Sequence, residues 1–344
     1  MKRTASWPLS TPERPKPFLP LLGERTLLQL TAARLDGLVA DDDIHVVTDR
    51  RYGDLVRAQL PGASVIEEPT GRNTAAAVAL ATVAIARPDD DVMVILPADH
   101  DIEREDVFRG VIADADLELA RGAFDIESPL VTLGTQVTRP ATEYGYLIPD
   151  RERGVRRRLM AYPLTRFQEK PDQREAERLM SESGVAWNAG MFIWRRRAIR
   201  AALARYADDV YGAIAGAVSD DRLDLEYPSV RSTSIDRAVM EPASQDGIVV
   251  MGAMDVGWSD LGSWSALLAD LGAGEVVGRV VQAGESAALG PSDLAVLRRG
   301  GHLVIEAGPG RIADEPGPSA LLEGAAPARA VVDDLVARVT AAER

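Results

Sequence analysis

The chain has 344 residues, the length of about two domains, and its 39 Lys and Arg against 53 Asp and Glu give a net charge of −14. This acidity argues against nucleic acid or an anionic membrane surface as a partner. The sequence contains no apolar run of about 18 residues, the length needed to cross a membrane. The sequence has no cysteine, no apolar secretory signal and only three histidines, which excludes disulfides, cysteine nucleophiles and histidine-rich metal centres and predicts a cytoplasmic protein.

Two segments are basic although the chain as a whole is acidic. Residues 1–25 hold five basic side chains against two acidic ones (+3), and residues 151–170 hold seven against two (+5). Such islands favour local binding of anions such as phosphates. A solvated loop is the alternative, and for residues 151–158 it is the favoured interpretation.

Predicted helices and strands alternate between positions 26 and 135. Helices are predicted at 26–38, 52–60, 73–87 and 103–121, and strands at 44–48, 63–69, 92–96 and 129–135. Strands separated by single helices predict right-handed crossovers and a doubly wound, mostly parallel sheet, that is, an α/β Rossmann-like fold. Ligands of such folds bind beyond the carboxyl ends of the strands.

The pattern is less regular after residue 140. Strand-like segments are predicted at 144–148, 164–170, 190–194 and 247–251, and helices near 173–183, 196–206 and 233–241. Farther along, short strands are predicted at 276–281, 294–297 and 302–307, within a region rich in Gly, Ala and Pro, before a terminal helix at 331–343. We therefore predict a large domain over residues 1–271 and a small β-rich region with a terminal helix over residues 272–344.

Prolines at positions 12, 15 and 17 hold the segment PERPKPFLPLLG (12–23) extended and stiff. Lys16 lies between two of these prolines, so its backbone is fixed and its ammonium group can be directed at an anion. A solvated loop lysine is the alternative and, from this segment alone, the more common case.

The segment EEPTGRNTAAA (67–77) joins a predicted strand to a predicted helix. Gly71 permits a tight turn, and Asn73 or Thr74 can cap the helix, whose free N–H groups then face an anion or the edge of a base. A capped helix without a ligand is the alternative and, taken alone, the favoured one.

Acidic side chains follow the apolar strand at 92–96, within ILPADHDI (95–102). Asp99 and Asp101 lie just beyond a buried strand, where carboxylate oxygens are well placed to bind Mg²⁺. A turn built by Pro97 and Asp99 is the alternative, and the position at the strand end favours the metal.

Four further segments combine aromatic side chains with a glycine or a charge: EYGYLIP (143–149), FQEKP (167–171), WNAGMFIW (187–194) and VGWSDLGSW (256–264). Gly145, Gly190 and Gly257 permit close approach of the backbone to a ligand. Trp187 and Trp258 are equally typical of core residues. The recurrence of such clusters in one chain favours a binding site.

The chain resembles the mannose-1-phosphate guanylyltransferases, within the sugar-nucleotide pyrophosphorylase superfamily, in the ordered segments LPADH, YGYL, FQEKP, WNAGMF, SIDRAVME and WSDLGSW. WPLSTPERPKPFLPL and EPTGRNTAAA extend the resemblance over about residues 7–325. EPTGRNTA and WNAGMF resemble the mannose and guanine branch of the superfamily more than its glucose and thymidine branch.

The resemblance implies nucleotidyl transfer, in which the phosphate oxygen of mannose 1-phosphate attacks the α-phosphorus of GTP and pyrophosphate leaves. Such chemistry depends on positioning and charge neutralisation and needs no covalent nucleophile. The resemblance also implies Mg²⁺ held between Asp99 and Asp260, with Lys16 on the nucleotide phosphates. By the same resemblance, Lys170 would bind the sugar phosphate, assisted by Glu169 and Asn188. Gly145 would pack against the sugar, and Asp236 would lie on the sugar side or support it. The residues implied to face the guanine and ribose are Glu68, Arg72, Asn73 and Thr74.

The chain departs from the family at its N-terminus. Family members open with an apolar strand and a Gly-rich phosphate loop, whereas Arg3, Ala5 and Ser6 stand here where the family has Gly, Arg and Leu. The first strand and most of the loop are therefore predicted to be missing, at a cost of several kcal/mol of transition-state stabilisation. Two alternatives stay open: a homologue that binds nucleotide or sugar phosphate without catalysis, and a pyrophosphorylase of different sugar and base. A nucleic-acid-binding or structural protein rests on the basic islands alone and is not favoured.

The C-terminal region is too short for the metal-dependent isomerase domain of two-function relatives, because 80 residues (265–344) follow Trp264 and contain one histidine, His302. We expect instead a β-rich tail that packs on the transferase domain or joins copies of the chain into a homo-oligomer.

Overall fold

The structure is a computed structural model that describes residues 9–156, 158–262, 267, 270–271, 280–282, 287–289, 294–299, 302–307, 310–312 and 326–342. The chain divides into a smaller compact unit (residues 1–33, 98–101 and 259–344) and a larger one (residues 34–97 and 102–258). The predicted boundary between residues 271 and 272 falls where few residues are described, and it stays a prediction. Arg3, Ala5 and Ser6, on which the predicted loss of the phosphate loop rests, lie outside the described residues.

Eight of the strands as far as residue 259 follow the predicted positions to within a few residues, whereas β4, β7 and β11 were not predicted. In chain order they are β1 (His45–Asp49), β2 (Ser64–Glu68), β3 (Val92–Ile95), β4 (Asp101–Ile102), β5 (Leu130–Gln136), β6 (Gly145–Pro149), β7 (Val155–Arg156), β8 (Met160–Glu169), β9 (Ala186–Arg195), β10 (Val249–Ala253) and β11 (Trp258–Ser259).

The helices likewise confirm most of the predicted positions. In chain order they are α1 (Leu27–Ala33), α2 (Gly53–Gln59), α3 (Asn73–Ala84), α4 (Glu105–Ala115), α5 (Gln173–Ser181), α6 (Arg196–Tyr206), α7 (Asp208–Ser219), α8 (Leu223–Glu226) and α9 (Glu241–Gln245). The helix predicted near 233–241 is instead a π-helical turn, Asp236–Met240, that leads into α9. Helices α7 and α8 were not predicted.

The α/β class is confirmed, but strand pairing in the larger sheet is mixed rather than mostly parallel. β1 and β2 form a parallel pair. The seven-stranded sheet has the order β10-β5-β9-β6-β8-β7, with β3 also paired to β9, and only its β10–β5 pairing is parallel. The predicted orientation relied on helical crossovers, and β6, β8 and β9 instead pair antiparallel with their neighbours. Among the described residues, β1 pairs with β2 alone and β3 with β9 alone.

Alternate residues of the sheet strands point into two separate apolar clusters, as the period of two requires. On β9, Phe192 and Trp194 face the cluster that includes buried residues of α3, α6 and α7. Met191 and Ile193 face the other cluster, which includes Phe108 of α4. The larger unit therefore has helices on both faces of its sheet, and its polar strand ends are left to form a site.

The core of the smaller unit combines both ends of the described chain. Residues from the proline-rich segment and α1 pack with Leu261 and Leu267 and with the terminal helix α10 (Ala326–Ala341). The buried residues of α10 are Val332, Leu335 and Val339, whose spacing places them on one helical face.

The predicted β-rich region forms five short strands among the described residues. They are β12 (Val280–Gln282), β13 (Ala287–Leu289), β14 (Leu294–Arg299), β15 (His302–Ala307) and β16 (Gly310–Ile312). β14 pairs with β12 in parallel and with β15 antiparallel, and β13 pairs with β16 antiparallel. In the part of the chain that the structure describes, no helix is long and apolar enough to cross a membrane.

Candidate active site

Lys16 begins a short 3₁₀ turn, Lys16–Phe18, whose geometry its neighbouring prolines help to set. The turn closes with a hydrogen bond from the Leu19 N–H to the Lys16 carbonyl. The Lys16 side chain is 10% exposed. Its Nζ donates to the backbone oxygen of Asp260 at 2.5 Å and to Asp99 Oδ2 at 3.2 Å. The predicted stiffness of this segment thus directs the ammonium group at two acidic residues.

Asp99 and Asp260 come from distant parts of the sequence and both contact Lys16. The Asp260 carboxylate also accepts a hydrogen bond from the Gly262 N–H at 3.0 Å, and Asp99 Oδ1 lies 3.8 Å from His100 Nε2. No group of three or more His, Cys, Asp or Glu side chains suited to a metal ion occurs among the described residues. Two carboxylates nevertheless match the usual protein share of a Mg²⁺ site, because Mg²⁺ commonly takes its other ligands from water and substrate phosphates.

The segment Gly71–Thr74 lies beyond the carboxyl ends of the parallel strands β1 and β2. Asp49, the last residue of β1, accepts a hydrogen bond from the Gly71 N–H at 3.1 Å. Glu68, the last residue of β2, accepts one from the Arg72 N–H at 3.4 Å. The position agrees with the rule that ligands of α/β folds bind at this edge of the sheet.

The carboxylate of Glu68 is buried and bonded to Tyr227, a residue that the sequence did not single out. The Tyr227 hydroxyl donates to Glu68 Oε1 at 2.6 Å, and Tyr227 has no exposed surface. Burial raises the pKa of the Glu68 carboxyl above its ordinary value, although the two donors oppose the shift. Burial and the nearby carboxylate also raise the pKa of the Tyr227 hydroxyl, which keeps it a donor.

Helix α3 starts at Asn73, whose φ of 68° lies in the left-handed region that asparagine tolerates. Asn73 Oδ1 accepts from the Thr74 N–H at 2.8 Å, and Thr74 Oγ1 accepts from the Ile235 N–H at 2.9 Å. The N-cap residue is Arg72, and its side chain makes no cap. The predicted capping by Thr74 is therefore wrong, because its hydroxyl binds a distant segment of chain, whereas Asn73 does bond an N–H of the first helical turn.

Lys170 and Glu169 form an ion pair at the end of β8. Lys170 Nζ donates to Glu169 Oε1 at 2.7 Å, and Glu241 accepts a hydrogen bond from the Glu169 N–H at 2.7 Å. The Lys170 side chain is 51% exposed, whereas that of Glu169 is only 6% exposed. A half-exposed cation is thus held by a buried carboxylate, an arrangement suited to binding a phosphate from solvent.

Gly145 lies directly opposite Glu169 in the β6–β8 pairing. A Cβ atom at this position would come within 2.8 Å of Glu169 Oε2 and 3.2 Å of the Phe167 ring. The absence of a side chain at Gly145 therefore permits the close approach of the Glu169 carboxylate. The predicted packing of Gly145 against a sugar stays a prediction.

Asn188 connects the protein core to Asp236. Its Oδ1 accepts from the Thr132 hydroxyl at 2.8 Å and the Gly190 N–H at 3.2 Å, and its Nδ2 donates to Asp236 Oδ1 at 2.8 Å. Removal from water, reinforced by the negative charge of Glu169, raises the pKa of the Asp236 carboxyl to about 6. Asp236 is thus partly protonated near neutral pH.

Comparison with known protein families shows to which family the chain belongs. The nucleotidyl transferase family matches residues 4–271, most of the chain. The chain belongs to the nucleotidyl transferase family.

Individual relatives of this nucleotidyl transferase include a mannose-1-phosphate guanylyltransferase of Klebsiella pneumoniae. It is 36% identical over an alignment of 278 residues that covers 76% of this chain and 56% of that protein. Another, of Sinorhizobium fredii, is 35% identical over 77% of this chain and 52% of its own length. The chain spans about half the length of these curated relatives. A crystal structure of a mannose-1-phosphate geranyltransferase from Thermus thermophilus is similar at a TM-score of 0.71 and 28% identity, over 87% of this chain and 90% of that one.

The structure brings the predicted site residues of this nucleotidyl transferase together in three groups. The smaller unit holds Lys16, Asp99 and Asp260; the larger unit holds Glu68, Arg72, Asn73 and Thr74 in one group and Gly145, Glu169, Lys170, Asn188 and Asp236 in another. Their contacts with substrates stay predictions.

Trp187 is buried in an apolar cluster, as the core alternative predicted. The described arginines between residues 151 and 158 are exposed, as the solvated alternative predicted, although Val155–Arg156 forms strand β7 and not a loop.

Sequence reasoning missed four polar residues that hold these groups. Glu241 lies within the recognised segment SIDRAVME, and Thr132 interrupts the apolar run at 130–133, so both carried a signal. Asp49 was detectable as an acidic residue at a strand end. No local sequence signal marked Tyr227, since its partner Glu68 is 159 residues away.

Proposed function

We propose that this chain transfers a guanylyl group from GTP to mannose 1-phosphate. A phosphate oxygen of mannose 1-phosphate forms a bond to the α-phosphorus of GTP, the bond from that phosphorus to the bridging oxygen breaks, and GDP-mannose and pyrophosphate result. The relatives from Klebsiella pneumoniae and Sinorhizobium fredii, both mannose-1-phosphate guanylyltransferases, support this choice of substrates.

The observation that carries the proposal is the convergence of Lys16, Asp99 and Asp260 from three separate segments of the chain. A buried lysine with two carboxylates can hold a triphosphate and its metal ion. Phosphoryl and nucleotidyl transfer depend mainly on such positioning and charge neutralisation.

Asp99 and Asp260 would hold the metal ion, for which we propose Mg²⁺. Their hard oxygen donors fit this ion, and the Asp99 carboxylate is 36% exposed and so accessible from solvent. When bound, Mg²⁺ neutralises charge on phosphate oxygens. Lys16 adds a fixed positive charge at the same place, which favours the departure of pyrophosphate.

The larger unit provides the groups that we assign to the sugar phosphate and the nucleoside. Lys170 would bind the phosphate of mannose 1-phosphate, while Glu169 orients the lysine through their 2.7 Å contact. Asn188 and Asp236 would bind or support the sugar, and Gly145 would pack against it. The segment Gly71–Thr74, supported by Glu68, would face the guanine and ribose. A cytoplasmic location and assembly into a homo-oligomer accompany this proposal as predictions.

The test incubates the purified chain with GTP, mannose 1-phosphate and Mg²⁺ and measures released pyrophosphate. We expect Asp99→Ala to lower the rate at least about 100-fold, because it removes half of the metal site. Asp54→Ala is the matched control, since Asp54 is an exposed carboxylate on α2 that pairs with its helical neighbour Arg57. Release that does not exceed the Asp99→Ala background would contradict the proposal.

Two further outcomes distinguish the alternatives. Calorimetric binding of GTP or mannose 1-phosphate without turnover would favour a homologue that binds but does not catalyse, as the substitutions Arg3, Ala5 and Ser6 suggest. Faster reaction of UTP or dTTP with glucose 1-phosphate would instead show that the assigned base and sugar are wrong.

A further inference from the structure

The segment Gly71–Thr74 and its flanking residues Glu68 and Ala75 are anchored to one distant stretch of the chain, residues 227–235. Three hydrogen bonds make this connection: Tyr227 Oη to Glu68 Oε1 at 2.6 Å, the Ile235 N–H to Thr74 Oγ1 at 2.9 Å, and the Ala75 N–H to the Thr233 carbonyl at 3.1 Å. The first bond is buried and the acceptor is a carboxylate, so it is the strongest of the three.

We propose that Tyr227 is a positioning residue for nucleobase recognition, acting through Glu68 on the backbone of the segment Gly71–Thr74. The inference rests on the proposed function, in which this segment faces the guanine and ribose of the nucleotide. It gives Glu68 a role different from the one that the resemblance implies, because Glu68 supports the segment rather than contacting the base.

Burial separates the supporting groups from the groups that a ligand can reach. Glu68 is 7% exposed, and its Oε1 accepts from both Tyr227 and the Arg72 N–H. Gly71, Asn73 and Thr74 are exposed. The carboxylate therefore fixes the backbone from beneath, while the upper side of the segment is accessible to solvent.

Arg72 supplies a donor that these internal contacts leave unsatisfied. Its Nε is buried and has no hydrogen-bond partner among the described residues. Buried polar groups are normally paired, so an acceptor from a ligand, such as a purine carbonyl or a ribose hydroxyl, fits this position. The direction of this donor depends on the Arg72 backbone, which Glu68 holds.

Loss of the Tyr227 hydroxyl would leave a buried carboxylate short of a donor, which is costly enough to displace Glu68 or the segment that it holds. Among the described residues, the Tyr227 hydroxyl bonds to Glu68 and to no member of the groups that contain Lys16 and Lys170. Its loss should therefore weaken the binding of GTP and leave the binding of mannose 1-phosphate unchanged. We expect Tyr227→Phe to raise KM for GTP about tenfold, with kcat and KM for mannose 1-phosphate within about twofold of wild type.

Tyr206→Phe is the matched control. The Tyr206 hydroxyl donates to Asp246 Oδ2 at the same distance of 2.6 Å, in the same unit of the protein, and so binds a residue outside the segment Gly71–Thr74. Its loss should leave both KM values unchanged. Glu68→Gln should reproduce the effect of Tyr227→Phe, and the double variant should be no worse than either single one, since both act through one connection.

Two results would overturn the positioning role: equal increases of KM for both substrates, or additive effects of Tyr227→Phe and Glu68→Gln. Calorimetry with GTP alone separates this inference from the proposed function. A wild-type chain that binds GTP without releasing pyrophosphate contradicts only the activity, whereas a Tyr227→Phe variant that binds GTP as tightly as wild type contradicts only the positioning role. A wild-type chain that binds no nucleoside triphosphate contradicts both.

Discussion

The side-chain amide of Asn188 donates a hydrogen bond of 2.8 Å to the carboxylate of Asp236. The amide oxygen accepts from Thr132 and from the Gly190 backbone, so the amide cannot rotate without losing partners on both sides. A backbone N–H can only donate, which fixes Oδ1 as the acceptor and Nδ2 as the donor to Asp236. Asp236 is thereby held against a permanent donor, close to the charges of Glu169 and Lys170.

The first prediction concerns stability and pH. Because the pKa of Asp236 is raised to about 6, the folded state retains this proton more strongly than the unfolded state. The stability that this proton contributes is present below about pH 4 and is lost as pH rises through 6. We expect Asp236→Asn to gain up to about 3 kcal/mol relative to wild type between pH 4 and pH 8. Urea unfolding of both proteins across this range measures the difference. If the free energies of unfolding of the two proteins changed equally with pH, the prediction would be wrong.

The second prediction concerns Thr132, which has no exposed surface. Thr132→Val retains the shape of the side chain but removes the hydroxyl bonded to Asn188. A lost hydrogen bond of about 1 kcal/mol should raise KM for mannose 1-phosphate about fivefold, while Thr132→Ser should restore it. Steady-state kinetics test this. Thr82→Val is the control, since the buried Thr82 hydroxyl bonds to Val78 within its own helix; an equal effect of both variants would argue against a role for Thr132 in the site.

The third prediction concerns the close packing of Gly145. In Gly145→Ala the new methyl group would meet Glu169 Oε2, so we expect a loss of about 1–3 kcal/mol in stability and a higher KM for mannose 1-phosphate. Gly110→Ala in α4 has no atom within 4 Å of the new methyl group and should gain about 0.5–1 kcal/mol. Thermal unfolding and kinetics of the two variants distinguish local crowding from a general effect of alanine. Unchanged stability of Gly145→Ala would mean that Glu169 moves freely.

The fourth prediction concerns the terminal helix α10. Leu335 is fully buried in the core of the smaller unit, whereas Ala337 is exposed on the same helix. Leu335→Asp buries an unpaired charge and should destabilise this core by several kcal/mol, whereas Ala337→Asp should have little effect. Hydrogen exchange of the backbone around Lys16 should accelerate in the first variant alone. Equal exchange in both variants would show that α10 does not support the lysine.

Much of the fold could be predicted where one physical pattern dominates. The strand His45–Asp49 and the helix Asn73–Ala84 follow from apolar runs between polar breaks, and α6 was predicted with its observed bounds. Helix α7 has apolar residues at helical spacing, but Gly212 and Gly216 weaken its propensity and it was missed. Strand orientation could not be predicted, because β9 pairs with β3, β5 and β6, which are all distant in sequence.

The candidate site was predictable in its motif residues but not in their supports. Lys16, Asp99 and Asp260 were expected together, and Lys16 contacts both of the others. The hydroxyl groups of Tyr227 and Thr132 act through hydrogen bonds to residues far away in sequence, which no local pattern reports. The sequence also suggested that Thr74 caps its own helix, whereas its hydroxyl binds Ile235.

The shared core of the two chain ends also has a consequence for synthesis on the ribosome. Leu9, Leu19 and Leu27 are translated early, but their packing partners Val332 and Val339 emerge about three hundred residues later. The larger unit, residues 34–97 and 102–258, is fully translated before those partners exist. Because domains fold as units during translation, we expect the larger unit to fold first. The segment 12–23, which contains Lys16, should acquire its final packing last. A chain that stops before α10 would then contain Lys16 without the core that holds it in place.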